Sequence, residues 1–575
     1  MSTQKKSFLT GALILASANL IVKVIGAFFK IPLYNNLLEE GSGYFNVAYQ
    51  IYTFMFIIAT AGFPIAVSKM VAEAYARENS YEANKIFRSA RLLLGIIGII
   101  GSLILFFFAD ELSTMLKSES SALAIKAISP AVFFVSIVSS YRGYFQGKQN
   151  MIPTALSEVI EATAKLVVGL AFVIYFMNME IDPSITTVID FKANKVESGS
   201  ARLIFAAAGA ILGVTAGTFL ALILMLITGA LSKKAPYPRI ETRSTSNILK
   251  ELVAISIPIT IGASVSSLTS LIDLGTIMNR LTVNPTVFDH YSFLFEKGTE
   301  FFRQVTEDGL DAAQIIEKKA NALYGMYTGQ AQTMFNLPLV VIVALGMSVV
   351  PAISSALEIK NTTGARKITE SALRITVLFA FPCAVGLSVL AEPILNFLYV
   401  NANAYQLLQK LAIAVIFVSV VSVTNSVLQA YGKVYYPVVN MLIGGVVKIV
   451  LNYNLIPVLG IDGAPIATNV CYAVIAILNL ICILRFVKIK FSLLDFVLRP
   501  AAAALLMGAA ALITLRALTP VLGEGRLLTL IAVFVGVVIY GVLIFIVGAV
   551  KREDLLNIPG SAKIIPILEK FRLLK

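Results

Sequence analysis

The sequence predicts an all-α polytopic membrane protein with fourteen transmembrane helices. Twelve form two parallel six-helix repeats, an N-lobe and a C-lobe around a central cavity, and two more follow at the C-terminal end. Three observations carry that prediction. The 575 residues are 58% hydrophobic and only 14% charged, against about 25% charged in a typical globular protein. Mean hydropathy is +0.84, so the solvent of most of the chain is lipid. The chain also resembles itself at a shift of about 282 residues, a period far longer than any local motif.

The same composition excludes several classes. Cys383, Cys471 and Cys482 all lie inside apolar runs, which argues against a disulfide framework and against a zinc site. One histidine, His290, and no tryptophan leave almost no material for metal or His-based chemistry. A net charge of +13 would suggest nucleic acid in a soluble protein. In a membrane protein it is the Lys/Arg excess that holds cytoplasmic loops in place.

A window of about 20 apolar residues marks spans near 8–33, 44–70, 92–109, 124–145, 151–176 and 203–231. A second set lies near 252–277, 323–357, 373–391, 407–430, 435–458 and 463–484, and two more near 500–518 and 527–549. The first run follows Lys5 and Lys6 and is too long for a signal-peptide core, so it reads as an uncleaved membrane helix. Arg77, Lys85, Arg88, Lys233, Lys234, Arg366, Lys367, Arg485, Lys488 and the tail from Lys551 fall on one side, whereas the short loop with Glu39 and Glu40 falls on the other. That asymmetry predicts cytoplasmic N- and C-termini.

The expected domains are an N-lobe over 1–232, a cytoplasmic linker over 233–250 and a C-lobe over 251–490 with an outer insertion at about 278–322. Spans thirteen and fourteen occupy 491–550, and an amphipathic tail on the inner membrane surface occupies 551–575. The insertion mixes both charge signs with aromatics and reads as a small helical cap.

The repeat is specific. Ala83-Asn84-Lys85-Ile86 returns as Ala365-Arg366-Lys367-Ile368, Phe134-Val135-Ser136 as Phe417-Val418-Ser419, Gln50 as Gln330, Gln146 as Gln429, and Lys165 as Lys448. Six spans return the chain to its starting side, so the copies share one orientation, as in parallel-repeat transporters. Two lobes about a cavity is an alternating-access architecture.

Charges inside the hydrocarbon are costly and mark candidate sites. Lys23 and Lys30, seven residues apart, share one face of span one. Glu158, Glu161 and Lys165 share one face of span five, and Glu161–Lys165 has the spacing of an internal ion pair, leaving Glu158 without a local partner. Arg142 sits at the inner mouth. Gln50, Gln330 and Lys448 complete the candidate cavity residues, and Glu158 and Asp273 are the candidates for ion coupling. Cations in a lipid-facing cavity suit an anionic head group such as phosphate or pyrophosphate. No catalytic set and no metal set is present. Gly143 to Lys148 mimics a P-loop, but the spacing is one short and Gln149 replaces Ser/Thr, so no nucleotide site is expected.

Two blocks carry a resemblance. Gly62-Phe63-Pro64-Ile65-Ala66-Val67-Ser68-Lys69-Met70 is one; Arg142-Gly143-Tyr144-Phe145-Gln146-Gly147-Lys148-Gln149-Asn150-Met151, with Pro153-Thr154-Ala155 and Glu158-Val159-Ile160-Glu161, is the other. They resemble the polysaccharide-biosynthesis flippases of Gram-positive bacteria, in the branch of the multidrug/oligosaccharidyl-lipid/polysaccharide (MOP) exporter superfamily that holds stage V sporulation protein B and MurJ-like lipid II flippases. The resemblance runs over spans one to twelve. It implies a non-enzymatic bacterial cell-membrane transporter that moves an undecaprenyl-linked oligosaccharide or peptidoglycan precursor from the inner to the outer leaflet. It needs no cofactor, is driven by Na+, H+ or the membrane potential, has membrane lipids and the lipid-linked precursor as partners, takes no nucleic acid or nucleotide, and is expected to be a monomer. It gives Lys23 a cavity role at an arginine position of the family and makes spans thirteen and fourteen a groove for the lipid tail. Span two departs from the Gram-negative members in carrying Gln50 and no charge. An ion-coupled multidrug antiporter of the same superfamily, or a non-transporting scaffold for cell-wall or spore-cortex synthesis, are the competing readings.

Overall fold

A computed structural model describes residues 3–179, 198–232, 243–296, 299, 310–489, 492–523 and 525–550. The tail 551–575 and most of the linker, with Lys233 and Lys234, lie outside the described residues. Every regular element among the described residues is helical. Among the described residues ten helical stretches are long and apolar enough to cross a membrane, or eleven if the bent pair Tyr405–Leu411 and Ala414–Ala430 is one span.

Two of those stretches fold back on themselves. Helix α1 (Thr3–Thr60) breaks at Leu38, whose φ is 55°. The rings of Phe29 and Phe45 meet at 5.9 Å, whereas sixteen residues of straight helix would part them by about 24 Å. Tyr435–Phe486 breaks at Gly460, with φ of 64°, and its two limbs hydrogen-bond each other through Asn440 and Asn479.

The chain forms two compact units, Met1–Gly329 and Gln330–Lys575. In the first, α1 is followed by α2 (Phe63–Ala76), α3 (Ser80–Phe107), α4 (Ala109–Met115), α5 (Ala122–Gly147), α6 (Ile152–Asn178), α7 (Ser198–Leu231), α8 (Thr245–Leu281) and α9 (Ala312–Met326). A short 3₁₀ segment, Pro285–Leu294, lies within the outer insertion. Helices α1, α5, α6 and α7 pack together, and α3 lies on α5. Val67, Met70, Ile86, Phe145, Met225 and Leu252 fill the core beside α2 and α8.

Small residues set the helix contacts, as they must where lipid removes the hydrophobic drive between helices. Gly143 and Gly147, the glycines of the P-loop mimic, let α5 lie on α2: a Cβ on Gly143 would stand 2.7 Å from the Pro64 carbonyl oxygen, and one on Gly147 2.8 Å from that of Ser68. Helices α8 and α9 pack on α1 within the same unit. There Gly43 and Gly325 make the crossing, since a Cβ on Gly325 would fall 1.9 Å from the Glu39 carbonyl oxygen. At the start of α8, Arg243 pairs with Glu82 and Glu251, and Lys85 Nζ donates to the Arg243 carbonyl at 2.6 Å.

The second unit holds α10 (Gln332–Glu358), α11 (Thr362–Val389), α12 (Ala391–Leu398), α13 (Tyr405–Leu411), α14 (Ala414–Ala430), α15 (Tyr435–Leu459), α16 (Gly463–Phe486), α17 (Arg499–Leu522) and α18 (Arg526–Ile546). Ile342, Ile353, Leu373, Val427, Ile483 and Phe496 share its main core, and the α17–α18 pair packs on α11. The internal repeat survives in the caps. Asn79 accepts the Glu82 N–H at 3.0 Å at the start of α3, and Asn361, at the matching place, accepts the Gly364 N–H at 2.8 Å at the start of α11.

Candidate functional site

The charged residues of the first unit converge because a short reversal brings the end of α5 against the start of α6. Gln149, at φ 59°, supplies the left-handed turn, and Asn150 N donates back to the Phe145 carbonyl at 3.0 Å, an ordinary helix stop. Arg142, five residues before the end of α5, is thereby set opposite the second and third turns of α6.

Arg142 is buried, only 6% exposed. Its Nε donates to Ser157 Oγ at 3.0 Å, and its Nη2 donates to Glu161 Oε2 at 2.9 Å. Ser157 Oγ in turn donates to the Thr154 carbonyl at 2.7 Å. The rigid fork of arginine suits it to such a two-point, buried contact. Glu158 lies one turn from Glu161 within electrostatic reach of Arg142, and its Oε2 is enclosed with no hydrogen-bond partner among the described residues.

Lys165 does not pair with Glu161, as the spacing of four had offered. Its Nζ donates to Tyr49 Oη at 3.0 Å and lies 4.2 Å from the Tyr49 ring centroid and 4.9 Å from that of Phe29. Tyr49 stacks on Phe45 at 5.4 Å, so the ammonium sits in an aromatic pocket built by both limbs of α1. The cation–π contacts compensate part of its desolvation. Helix α7 presses α6 toward this pocket through glycines: a Cβ on Gly213 would meet Gly169 Cα at 2.3 Å, and one on Gly217 the Glu161 carbonyl oxygen at 2.5 Å.

Lys30 is half-buried and within electrostatic reach of Tyr49 and Lys165. Lys23 is exposed on α1. It lies on the side away from Ser17, Ala18 and Ile21, which face Ala155 and Val159 of α6 across an apolar cleft of about 480 Å³. Gln50 is half-buried beside Tyr49. Asp273 of α8 is buried and close to Tyr324. The structure therefore gathers Arg142, Glu158, Glu161, Lys165 and Lys30 into one region, and Lys23 stands exposed two turns before Lys30 on the same face of α1.

In the second unit the matching positions carry no acid. Adding 283 to Arg142, Ser157, Glu161 and Lys165 gives Asn425, Asn440, Gly444 and Lys448. Asn440 Nδ2 donates to Asn479 Oδ1 at 2.8 Å. Asn479 Nδ2 donates to Asn425 Oδ1 at 2.8 Å and to Thr424 Oγ1 at 2.9 Å. Lys448 is buried. Gln330 is fully buried; its amide N–H donates to the Asn401 carbonyl, and its amide oxygen accepts the Ala404 N–H at 3.0 Å, holding the loop before α13.

A family model described as polysaccharide biosynthesis protein matches residues 8–357, more than half the chain. The chain belongs to that family. A second model, lipid II flippase MurJ, matches residues 319–534. Stage V sporulation protein B of Bacillus subtilis (strain 168) is 26% identical over 500 residues, covering 86% of this chain and 87% of its own. The lipid II flippase MurJ of the same organism is 25% identical over 512 residues, with 84% of each chain covered. A solved structure of lipid II flippase MurJ in an inward closed conformation shares the fold, with a TM-score of 0.65, 14% identity, and 93% of this chain and 98% of that chain covered.

Within this polysaccharide-biosynthesis fold the sequence had already singled out Arg142, Glu158, Glu161 and Lys165 but not the groups that hold them. Ser157, Tyr49 and Phe29 carried only a weak signal, since serine, tyrosine and phenylalanine in apolar helices are mostly packing residues. Among the described residues no group of three His, Cys, Asp or Glu could hold a metal.

Proposed function

We propose that this member of the polysaccharide-biosynthesis family is a flippase. It carries an undecaprenyl-pyrophosphate-linked cell-wall precursor, lipid II or a related lipid-linked oligosaccharide, from the inner to the outer leaflet by alternating access. One observation carries the reading: among the described residues Lys23, Lys30 and Lys165 have no carboxylate within 4.0 Å. Cations without an anionic partner are costly in a membrane even where, as at Lys165, aromatic rings offset part of the cost, and a diphosphate head group is a partner that relieves them. A cavity for cationic drugs would carry the opposite sign, which disfavours the antiporter reading. The covalent structure of the cargo is unchanged by transport, so no catalytic residue is assigned. Glu158 and Asp273 remain the ion-coupling groups, and α17 and α18 the bed for the lipid tail, in a monomer with both termini cytoplasmic.

The test is complementation of a strain depleted of its lipid II flippase, paired with a leaflet assay using fluorescent lipid II in proteoliposomes. Lys23→Ala/Lys30→Ala is expected to insert normally and to lose at least tenfold in translocation rate. Growth and transport at the wild-type level with both lysines removed would sink the head-group assignment. Drug resistance on overexpression without any precursor movement would favour the antiporter.

A further inference from the structure

Arg142 faces two carboxylates and is committed to one of them. Its fork is occupied by Ser157 and Glu161, while Glu158 Oε2 is enclosed and unpartnered. A second observation lies beside it. Thr154, one helical turn earlier on the same face of α6, is 1% exposed, and Tyr52 of α1, within electrostatic reach of Arg142 and Glu161, is 4% exposed. Neither Thr154 Oγ1 nor Tyr52 Oη has a hydrogen-bond partner among the described residues. Buried polar atoms are nearly always satisfied, so orphan oxygens gathered about the Arg142–Glu161 pair mark a site whose last component comes from outside the protein.

We propose that this component is a proton, held on Glu158 Oε2. The wider region with Lys30 and Lys165 has cations in excess, but immediately around Glu158 the charge balance requires a positive charge. Arg142 contributes one; Glu158 and Glu161 together carry two negative charges; and Lys165 is turned away to Tyr49. Lys30 lies by Tyr49 and Lys165 rather than by Glu158, Lys23 is exposed, and α7 brings no ionisable group past Arg202. An alkali cation would need several oxygen ligands and would stand against the guanidinium. A proton needs one oxygen and leaves the Arg142–Glu161 pair intact.

Protonated Glu158 is neutral and its new O–H donates to an adjacent oxygen or a bound water. When it releases the proton, its carboxylate competes with Glu161 for Arg142, which can then swing along α6 by one turn. The pair Glu158–Arg142 thus couples proton uptake to the seating of α5 against α6. What that motion drives rests on the flippase reading, but the proton site itself does not.

Infrared difference spectroscopy of the full-length protein in lipid, titrated in potassium buffer, tests it without any substrate. The wild type is expected to show a protonated-carboxyl C=O band that shifts on deuteration and disappears with a one-proton slope on alkalinisation. Glu158→Gln should remove the band, Glu158→Asp should restore it, and Asp273→Asn should leave it in place, each in protein that elutes as a single species. A band that persists in Glu158→Gln overturns the assignment, and so does a band that sodium abolishes at constant pH. If the band behaves as expected while no precursor moves in the leaflet assay, the flippase reading fails and the proton site stands.

Discussion

Arg142→Met tests the centre of the site most directly. The Arg142 and Glu161 side chains are 7% and 20% exposed and meet at 2.9 Å. At an effective dielectric of about 20 their attraction is about 6 kcal/mol. Several kcal/mol of desolvation per ion offsets most of this, so the intact pair adds little net stability, yet breaking it costs about 3–5 kcal/mol. Methionine keeps the volume and removes the charge, leaving the Glu161 carboxylate without its cation beside a protonated Glu158 and the Ser157 hydroxyl without its donor. Two to three and a half decades in the unfolding equilibrium are expected. Glu161→Gln should cost less, because Glu158 stands one turn away as a second acceptor for Arg142. The double variant Arg142→Met/Glu161→Gln should be more stable than the sum of its parts by about 2 kcal/mol, since no charge is then left unpaired at that position. The three thiols are all buried or half-buried, so a thiol-reactive dye reports unfolding in detergent. Additive single-variant costs, or equal costs for Arg142→Met and Glu161→Gln, would refute the argument that one guanidinium serves two carboxylates.

Two other perturbations separate packing from charge. Tyr49→Phe removes the hydrogen bond to Lys165 and keeps the ring, so it should cost about 1.5–3 kcal/mol, whereas Tyr49→Leu should cost more by losing the cation–π contact as well; the same dye assay ranks them, and equal costs would show that the ring contributes nothing. Asn479→Leu removes the amide partner of Asn440 Nδ2 and of Asn425 Oδ1, while Thr424 Oγ1 keeps its bond to the Val420 carbonyl; it should destabilise by about 2 kcal/mol or more, and a neutral result would show that these amides find other partners.

The apolar spans, the repeat and the charged face of α6 were legible because each is a one-dimensional pattern. Spacing alone could also say that Glu161 and Lys165 were able to pair, and there it failed. The i,i+4 geometry brings them near on α6, but it carries no information about α1, where Phe29 and Tyr49 capture the ammonium, or about α5, where Arg142 captures the carboxylate. Both captures depend on chain reversals, at Leu38 and at Gln149, whose positive φ values fall on residues with no turn signature. Gln330 shows the same limit: its repeat partnership with Gln50 was visible, but the loop it holds, 401–404, is more than seventy residues away.

The repeat also explains why the chemistry is lopsided. A duplicated fold gives each copy the same three helix positions, which hold Arg142, Ser157 and Glu161 in the first and Asn425, Asn440 and Gly444 in the second. In the second copy amides close the gap by hydrogen-bonding through Asn479, a neutral solution with nothing to titrate. In the first copy those positions carry a guanidinium, a hydroxyl and a carboxylate, and Glu158 beside them adds a second carboxylate, a solution that is satisfied only when a positive charge arrives. Amide networks rigidify when every member is satisfied. A charged node with one carboxylate too many has two states by construction. Converting Arg142, Ser157, Glu158 and Glu161 together to the residues of the second copy should therefore stabilise the first lobe and abolish its response to an imposed pH gradient. A variant that still responds would place the coupling elsewhere.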